Sequence, residues 1–345
     1  MKRSGRLRIA RAVTAGIAAC SFMIALSSGG ASASSASGKT IEYIVTSTGI
    51  PYYNPVIKGF NLEAARLGLK TIVTGPSTAT AAGQLPFIQQ AIVKHVSGIS
   101  LQTDDPYQAL LPILAEARAA GIKVVDNAQV LPTSARVASI TPMNYSLVPA
   151  QQLAQLGELM HYSGTFAILS ASSTSVFQNV LIGAMLKLLK SDPKYAKMSM
   201  VKLVYGNDTS ATSAAQTDDL LTEFPKLTAI YSPTTVGIAA AAQAVDNAKL
   251  GGRIVVTGLG EPVEMRKFIL NGTVTAYQLW DPEPLGIVSA YILYESILGR
   301  TFTPGKSFQV PGSGLGKIVV QQNYQIYASK LLLTLDKANV NQYSF

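Results

Sequence analysis

Residues 226–245, KLTAIYSPTTVGIAAAAQAV, followed by residues 252–282, GRIVVTGLGEPVEMRKFILNGTVTAYQLWDP, decide the fold class of this chain. The run 227–231 is short and apolar, as a strand buried on both faces requires. Residues 232–235 read as a turn whose hydroxyl side chains are placed to cap the next helix. The Ala-rich run 236–245 is a strong helix former, and its small side chains let it lie close to a sheet. A second buried strand, 253–257, exits through Gly258-Leu259-Gly260-Glu261-Pro262. Pro262 suits the first turn of a helix that 265–270 continue and Asn271-Gly272 end. Residues 273–279 make a third strand, which stops at Trp280-Asp281-Pro282. Three strands therefore discharge into three short polar loops. In an open parallel sheet, loops at the carboxyl ends of strands line the ligand crevice, so this stretch predicts one wall of a binding site.

The same alternation runs outward in both directions. Strands are expected at 40–45, 71–74, 98–101, 122–125, 165–169 and 198–204, with a late one at 317–320. Helices are expected at 55–69, 79–95, 109–120, 147–162, 176–189, 212–223 and 287–298, from apolar residues at helical spacing. The series breaks near Ile140 and restarts at 147. Two βα series of this length predict an α/β protein of two doubly wound, Rossmann-like parallel-sheet lobes rather than a closed barrel.

The amino terminus stands apart from this pattern. Lys2, Arg3, Arg6, Arg8 and Arg11 precede an apolar run, 12–26, too short for a stable membrane span, and Ala31-Ser32-Ala33 offers a small-x-small cleavage site. Residues 1–33 are read as a secretory signal peptide and 34–39 as a linker. The full chain of 345 residues carries +9; without the five basic residues of the leader, 23 basic residues face 19 acidic ones, or +4. No basic run survives, so nucleic acid is not an expected partner. The one cysteine, Cys20, lies in the leader; Ile17-Ala18-Ala19-Cys20 reads either as a lipobox that would anchor the protein through an acylated Cys20, or as an h-region that is discarded. Charged residues make up only 14% of the chain, which permits a large core.

The loops after strands hold the candidate binding residues. Tyr52 and Tyr53 follow the first strand and can stack on a ligand or offer phenols. Asp104 and Asp105 are adjacent, so one can face the crevice while the other caps the next helix. Asp126 and Asn127 end a strand apolar enough to be buried on both faces, where a carboxylate needs either ligand hydroxyls or structural partners. Trp280-Asp281 joins the only tryptophan to a carboxylate at a strand end, a flat face plus a hydroxyl acceptor. Phe177 and Gln178 stand at a helix start, and Pro233, Thr234 and Thr235 fill another exit loop. Catalytic and cofactor patterns fail: residues 312–317 lack the first glycine and the Ser/Thr of a phosphate-binding loop, and Gly258-Leu259-Gly260 lacks the third glycine of a dinucleotide fingerprint. His95 and His161, both expected inside helices, have no third partner for a metal or a triad. Neither an enzyme nor a cofactor is expected.

Segments 75–89 (GPSTATAAGQLPFIQ), 117–126, 232–245, 258–274, 279–286 (LWDPEPLG), 310–320 (VPGSGLGKIVV) and 339–345 (NVNQYSF) resemble the type I periplasmic sugar-binding proteins, most closely the rhamnose-binding and autoinducer 2-binding cluster. The resemblance implies two lobes joined by a multi-strand hinge, with 40–140 and 281–310 in lobe I and 141–280 and 311–345 in lobe II. It implies an extracytoplasmic, monomeric solute receptor that closes on a small neutral sugar-like ligand and delivers it to an ABC permease and its ATPase. Presentation of the ligand to a membrane sensor kinase or chemotaxis system is the alternative. A sugar-sensing repressor of the same fold would need a DNA-binding headpiece where this chain has an export signal. Asp126 falls on the family's ligand aspartate, and Pro233 with Thr235 on its second-lobe ligand loop. Thr46 replaces a lysine of the autoinducer 2 binders, and Val176-Phe177 replaces an acid-or-amide followed by glutamine. The expected ligand is accordingly a rhamnose-like deoxy-sugar or similar polyol, with an apolar face against Phe177 and Trp280.

Overall fold

A computed structural model of the chain describes residues 36–329 and 331–345. The expected signal peptide and Cys20 lie outside the described residues. Of the expected linker, residues 36–39 form a turn packed on the domain: Ala36 is buried, and Gly38 N–H donates to Gly68 O at 2.8 Å.

The first lobe runs β1 (Thr40–Ile44), α1 (Tyr53–Arg66), β2 (Lys70–Thr74), α2 (Ala81–Val93), β3 (Gly98–Thr103), α3 (Leu111–Ala119), β4 (Lys123–Ala128) and β5 (Ala138–Thr141). The second runs α4 (Val148–Leu159), β6 (Ser163–Ser170), α5 (Val176–Ser191), β7 (Lys197–Tyr205), α6 (Ser210–Glu223), β8 (Ala229–Ser232), α7 (Thr235–Asn247), β9 (Val255–Gly258), α8 (Pro262–Leu270) and β10 (Ala276–Leu279). The chain then returns to the first lobe with α9 (Glu283–Ile297), β11 (Ser307–Gln309), β12 (Lys317–Val319) and β13 (Gln325–Tyr327), and crosses once more to β14 (Leu333–Asp336).

The first sheet has the order β2-β1-β3-β4-β5-β13, all parallel. The second has β7-β6-β8-β9 in parallel, extended by a bridge from Leu259 to Gln278 of β10, which pairs antiparallel with β14. Strand order thus reverses between β1 and β3 in one lobe and between β6 and β8 in the other. Those are the points where a doubly wound sheet opens a crevice at its carboxyl edge.

The pairing reflects how the strands are buried. Ile41, Ile99, Leu101, Val124, Phe166, Ile168, Ile230 and Val256 are all buried, as strands covered on both faces must be. In the first lobe α1 and α9 share one core and α2 and α3 border the other. Helices α1 and α9 cross with their backbones almost touching: a Cβ on Gly286 would stand 1.9 Å from Val56 O, and one on Gly59 2.3 Å from Glu283 O. A side chain at either glycine would push α9 off the sheet.

Two expectations are corrected here. Residues 317–327 do not join the second lobe: β12 pairs with β11, and β13 extends the first sheet beside β5, so the return begins only at Leu333. His95 and His161 do not lie inside helices; both follow a helix end with φ of 52° and 51°, the left-handed C′ position that stops α2 and α4.

The chain crosses between lobes near 142, near 281 and near 330, and these crossovers are tied together. Ala328 N–H donates to Thr141 O at 2.9 Å, Ser329 N–H to Pro142 O at 2.5 Å, and Ser329 Oγ to Asp281 O at 3.1 Å. The tie makes one hinge of three strands.

Candidate functional site

Between the lobes, beside this hinge, lies a narrow cleft lined from both sides. Its walls come from the expected exit loops. The turn after β1 supplies Ile50, Tyr52 and Tyr53, the end of β3 supplies Gln102 and Asp104, the start of α5 supplies Phe177 and Gln178, and the turn after β8 supplies Pro233, Thr234 and Thr235. Trp280, at the second crossover, closes the hinge end with Leu259 and Leu279.

Three rings form the apolar part. Tyr145 and Phe177 lie 4.5 Å apart between centroids, and Trp280 stands 5.9 Å from Tyr145 and 6.2 Å from Phe177. The indole N–H of Trp280 donates to Tyr52 Oη at 2.9 Å, which ties the crossover to the first lobe and fixes both rings. Burial pushes the phenols of Tyr52, Tyr53 and Tyr145 up, so all three stay neutral and able to donate.

The polar part is rich in acceptors. Gln178 is buried, and its Oε1 has no partner among the described residues, an acceptor held in a wall of the cleft. Gln102 Oε1 accepts from Tyr43 Oη at 2.9 Å, which leaves its Nε2 as the free donor end. The Asp104 carboxylate receives no hydrogen bond from the described residues. It keeps some exposure to the cleft but is ringed by protein; this desolvation, reinforced by Asp208 and Asp105, pushes it up to about 7. Asp208 enters from the turn after β7, where Asn207 and Asp208 take φ of 52° and 48°. Short polar side chains tolerate that left-handed backbone. The Thr234 hydroxyl donates to Asp208, which pulls against the upward push of burial. Among the described residues, no Lys, Arg or His lines the cleft.

The lobes also meet directly at the rim. Val176 N–H donates to Asp104 O at 2.8 Å and Thr174 Oγ1 to Asp105 Oδ1 at 2.7 Å. Asp105 is held for this by its other oxygen, which accepts from Ala81 N–H at the start of α2 at 3.2 Å. The structure is therefore closed, with its two lobes latched across the cleft.

Several expected site residues do not line the cleft. Asp126 is fully buried against Arg136, with Nε 2.9 Å from Oδ2, and accepts from Ser139 Oγ at 2.6 Å and Leu131 N–H at 3.3 Å. Its neighbours on the sheet face consume it before a ligand could. Asn127 points to the opposite face, where its Oδ1 accepts from Ser100 at 2.6 Å and its Nδ2 donates to Ser289 of α9 at 3.0 Å. Thr46 sits behind the cleft and donates to Gln102 O at 3.1 Å. Asp281 caps α9, accepting from Glu283 N–H at 2.9 Å. Thr234 does line the cleft, but at the N-cap position of α7 it gives its hydroxyl to Asp208 rather than to the helix amides. Ile50, Gln102, Tyr145, Asp208, Leu259 and Leu279 were not anticipated. Of these, only Gln102 carried a usable signal, a polar residue at the end of an otherwise apolar strand.

Two hinged sheets with a crevice at both switch points correspond to a known design. A family model described as a periplasmic binding protein domain matches residues 41–301. The chain belongs to the periplasmic binding protein family. That family comprises non-enzymatic solute receptors. An ABC transporter solute-binding protein from Clostridium phytofermentas, solved with bound L-rhamnose, is 30% identical, with a TM-score of 0.82 over 89% of this chain and 98% of that one. A sugar ABC transporter protein from Actinomyces odontolyticus is 31% identical, with a TM-score of 0.72 over the same shares. LsrB from Clostridium saccharobutylicum in complex with AI-2 shares the fold at 22% identity and a TM-score of 0.79, over 89% of this chain and 100% of that one. No helix of the described residues of this binding protein is long and apolar enough to cross a membrane.

Proposed function

We propose that this binding protein is the extracytoplasmic receptor of an ABC importer and that it encloses a small neutral sugar or sugar-like polyol, of the rhamnose type, between its lobes. The observation that carries this reading is the composition of the cleft: unpartnered acceptors on Asp104 and Gln178, neutral phenols, and a three-ring apolar wall at the hinge. Hydroxyls on one side of a sugar match the acceptors, and a deoxy face matches Phe177 and Trp280. The relative with bound L-rhamnose supports the ligand class. Without a cation on its walls the cleft is ill suited to phosphorylated or acidic sugars. The leader at 1–33 would export the protein, which would act as a monomer and present its closed form to a membrane permease and ATPase.

Isothermal titration calorimetry against neutral deoxy-sugars, aldoses and sugar acids tests this. A neutral sugar is expected to bind and the acids are not; a panel in which only charged compounds bind would end the proposal. Solution scattering should show compaction on binding.

A further inference from the structure

Asp104 and Asp208 come from opposite lobes, yet line one cleft in which no basic side chain of the described residues answers them. Arg136 is committed to Asp126, Leu131 O and Asn323 O, and Lys58 to Glu283. The two acids differ in their partners. Asp208 accepts the Thr234 hydroxyl, a bond that suits the ionised form. The Asp104 carboxylate has no donor among the described residues, while its own carbonyl is locked to Val176 N–H across the rim. In the closed cleft a carboxylate with no protein donor thus shares a largely desolvated space with a second one. A neutral ligand brings no charge to offset this.

We propose that Asp104 takes up a proton when the cleft closes on a neutral polyol, so that it meets the ligand as a hydrogen-bond donor while Asp208 stays the ionised acceptor. Asp104 would then set specificity by what it donates as much as by what it accepts. The other groups around it agree with this assignment. Tyr43, Tyr52, Tyr53 and Tyr145 are all held neutral by burial, and the charges that act on it, Asp208 and Asp105, both disfavour its ionised form. With Asp104 pushed up to about 7 in the closed protein, the uptake falls within an accessible range. Water reaching the carboxylate in an open cleft would lower this value toward the usual carboxylate range. Affinity from this source is present at acid pH and is lost as pH rises through the closed-state value. The proposal rests on the neutral-sugar reading above.

The test is calorimetry with L-rhamnose, the neutral sugar of the related complex, from about pH 5.5 to 9, in buffers of different ionisation enthalpy. Net proton uptake is expected on the acid side of about pH 7, where Kd should rise by up to about tenfold per pH unit, and both should fade above that value. In Asp104→Asn, which keeps a donor and an acceptor but cannot titrate, the pH dependence should flatten. Wild-type binding with no proton uptake and a flat Kd overturns this inference and leaves the neutral-sugar reading intact. Affinity that rises with pH also overturns it, because an ionised Asp104 is then the binding form. If neither L-rhamnose nor any other neutral sugar binds even at the acid end of the range, both readings fall together.

Discussion

Strands β3 and β4 lie side by side, parallel, with Leu101 opposite Asp126, and an aspartate stands just past the end of one and near the end of the other. One of these aspartates lines the cleft and the other is a structural plug. Asp104 stands one residue beyond β3, past the last rung of the ladder, where a side chain is no longer assigned to a sheet face. Asp126 is inside β4, on the same face as Val124, so alternation sends it sideways into the packing beneath α2 and α3. There Arg136 meets it. A carboxylate near a strand end is thus a ligand candidate only when it lies beyond the paired residues.

Substitutions at the two positions should separate cleanly. Asp126→Ala strands a buried guanidinium and is expected to cost about 3–5 kcal/mol in urea unfolding. Asp104→Ala should instead abolish sugar binding with no loss of stability. An unchanged unfolding midpoint for Asp126→Ala, together with lost binding, would reverse the two roles.

A smaller effect is expected from pH on the stability of the closed protein, held closed by saturating sugar. Asp104 is raised from 3.8 to about 7 when folded, so the native state holds its proton more tightly than the unfolded chain. Its contribution to stability is fully present below 3.8 and is lost as pH climbs toward about 7. Thermal melts of Asp104→Asn should match wild type at acid pH and exceed it above neutrality. A variant that is less stable than wild type in mildly alkaline buffer would place a favourable partner on the carboxylate.

The smallest expected effects concern the supports. Thr174→Val removes the bond to Asp105 that latches the rim, and the loss of about 1 kcal/mol should appear as roughly fivefold faster ligand release in stopped-flow traces, with unfolding unaffected. Thr46→Val removes a buried donor to Gln102 O, and about 1 kcal/mol should instead be lost from folding stability. If Thr46→Val changed ligand choice rather than stability, Thr46 would belong to the cleft wall after all.

The βα alternation was legible because the central parallel strands are buried on two faces and so are largely apolar, and each helix must show one apolar stripe. Cleft residues on the loops after β1, β3, β6 and β8 were legible for the same reason, since switch-point topology selects those loops. Asp208 was not. Nothing in Gly206-Asn207-Asp208 distinguishes a surface turn from one whose left-handed backbone brings a carboxylate to the cleft wall. Tyr145 was hidden as well, because it belongs to a crossover, and crossovers have no periodicity. Residues 317–327 were assigned to the wrong lobe because strands as short as β12 and β13 carry too few residues to declare a partner.

By itself, the sequence determined two doubly wound lobes and the exit loops that face each other, because burial and periodicity are local to each element. The tertiary structure alone decided which polar groups at those strand ends remain free for a ligand. That choice depends on partners such as Arg136, Thr234 and Ser289, which are distant in the chain or set by which sheet face each side chain meets.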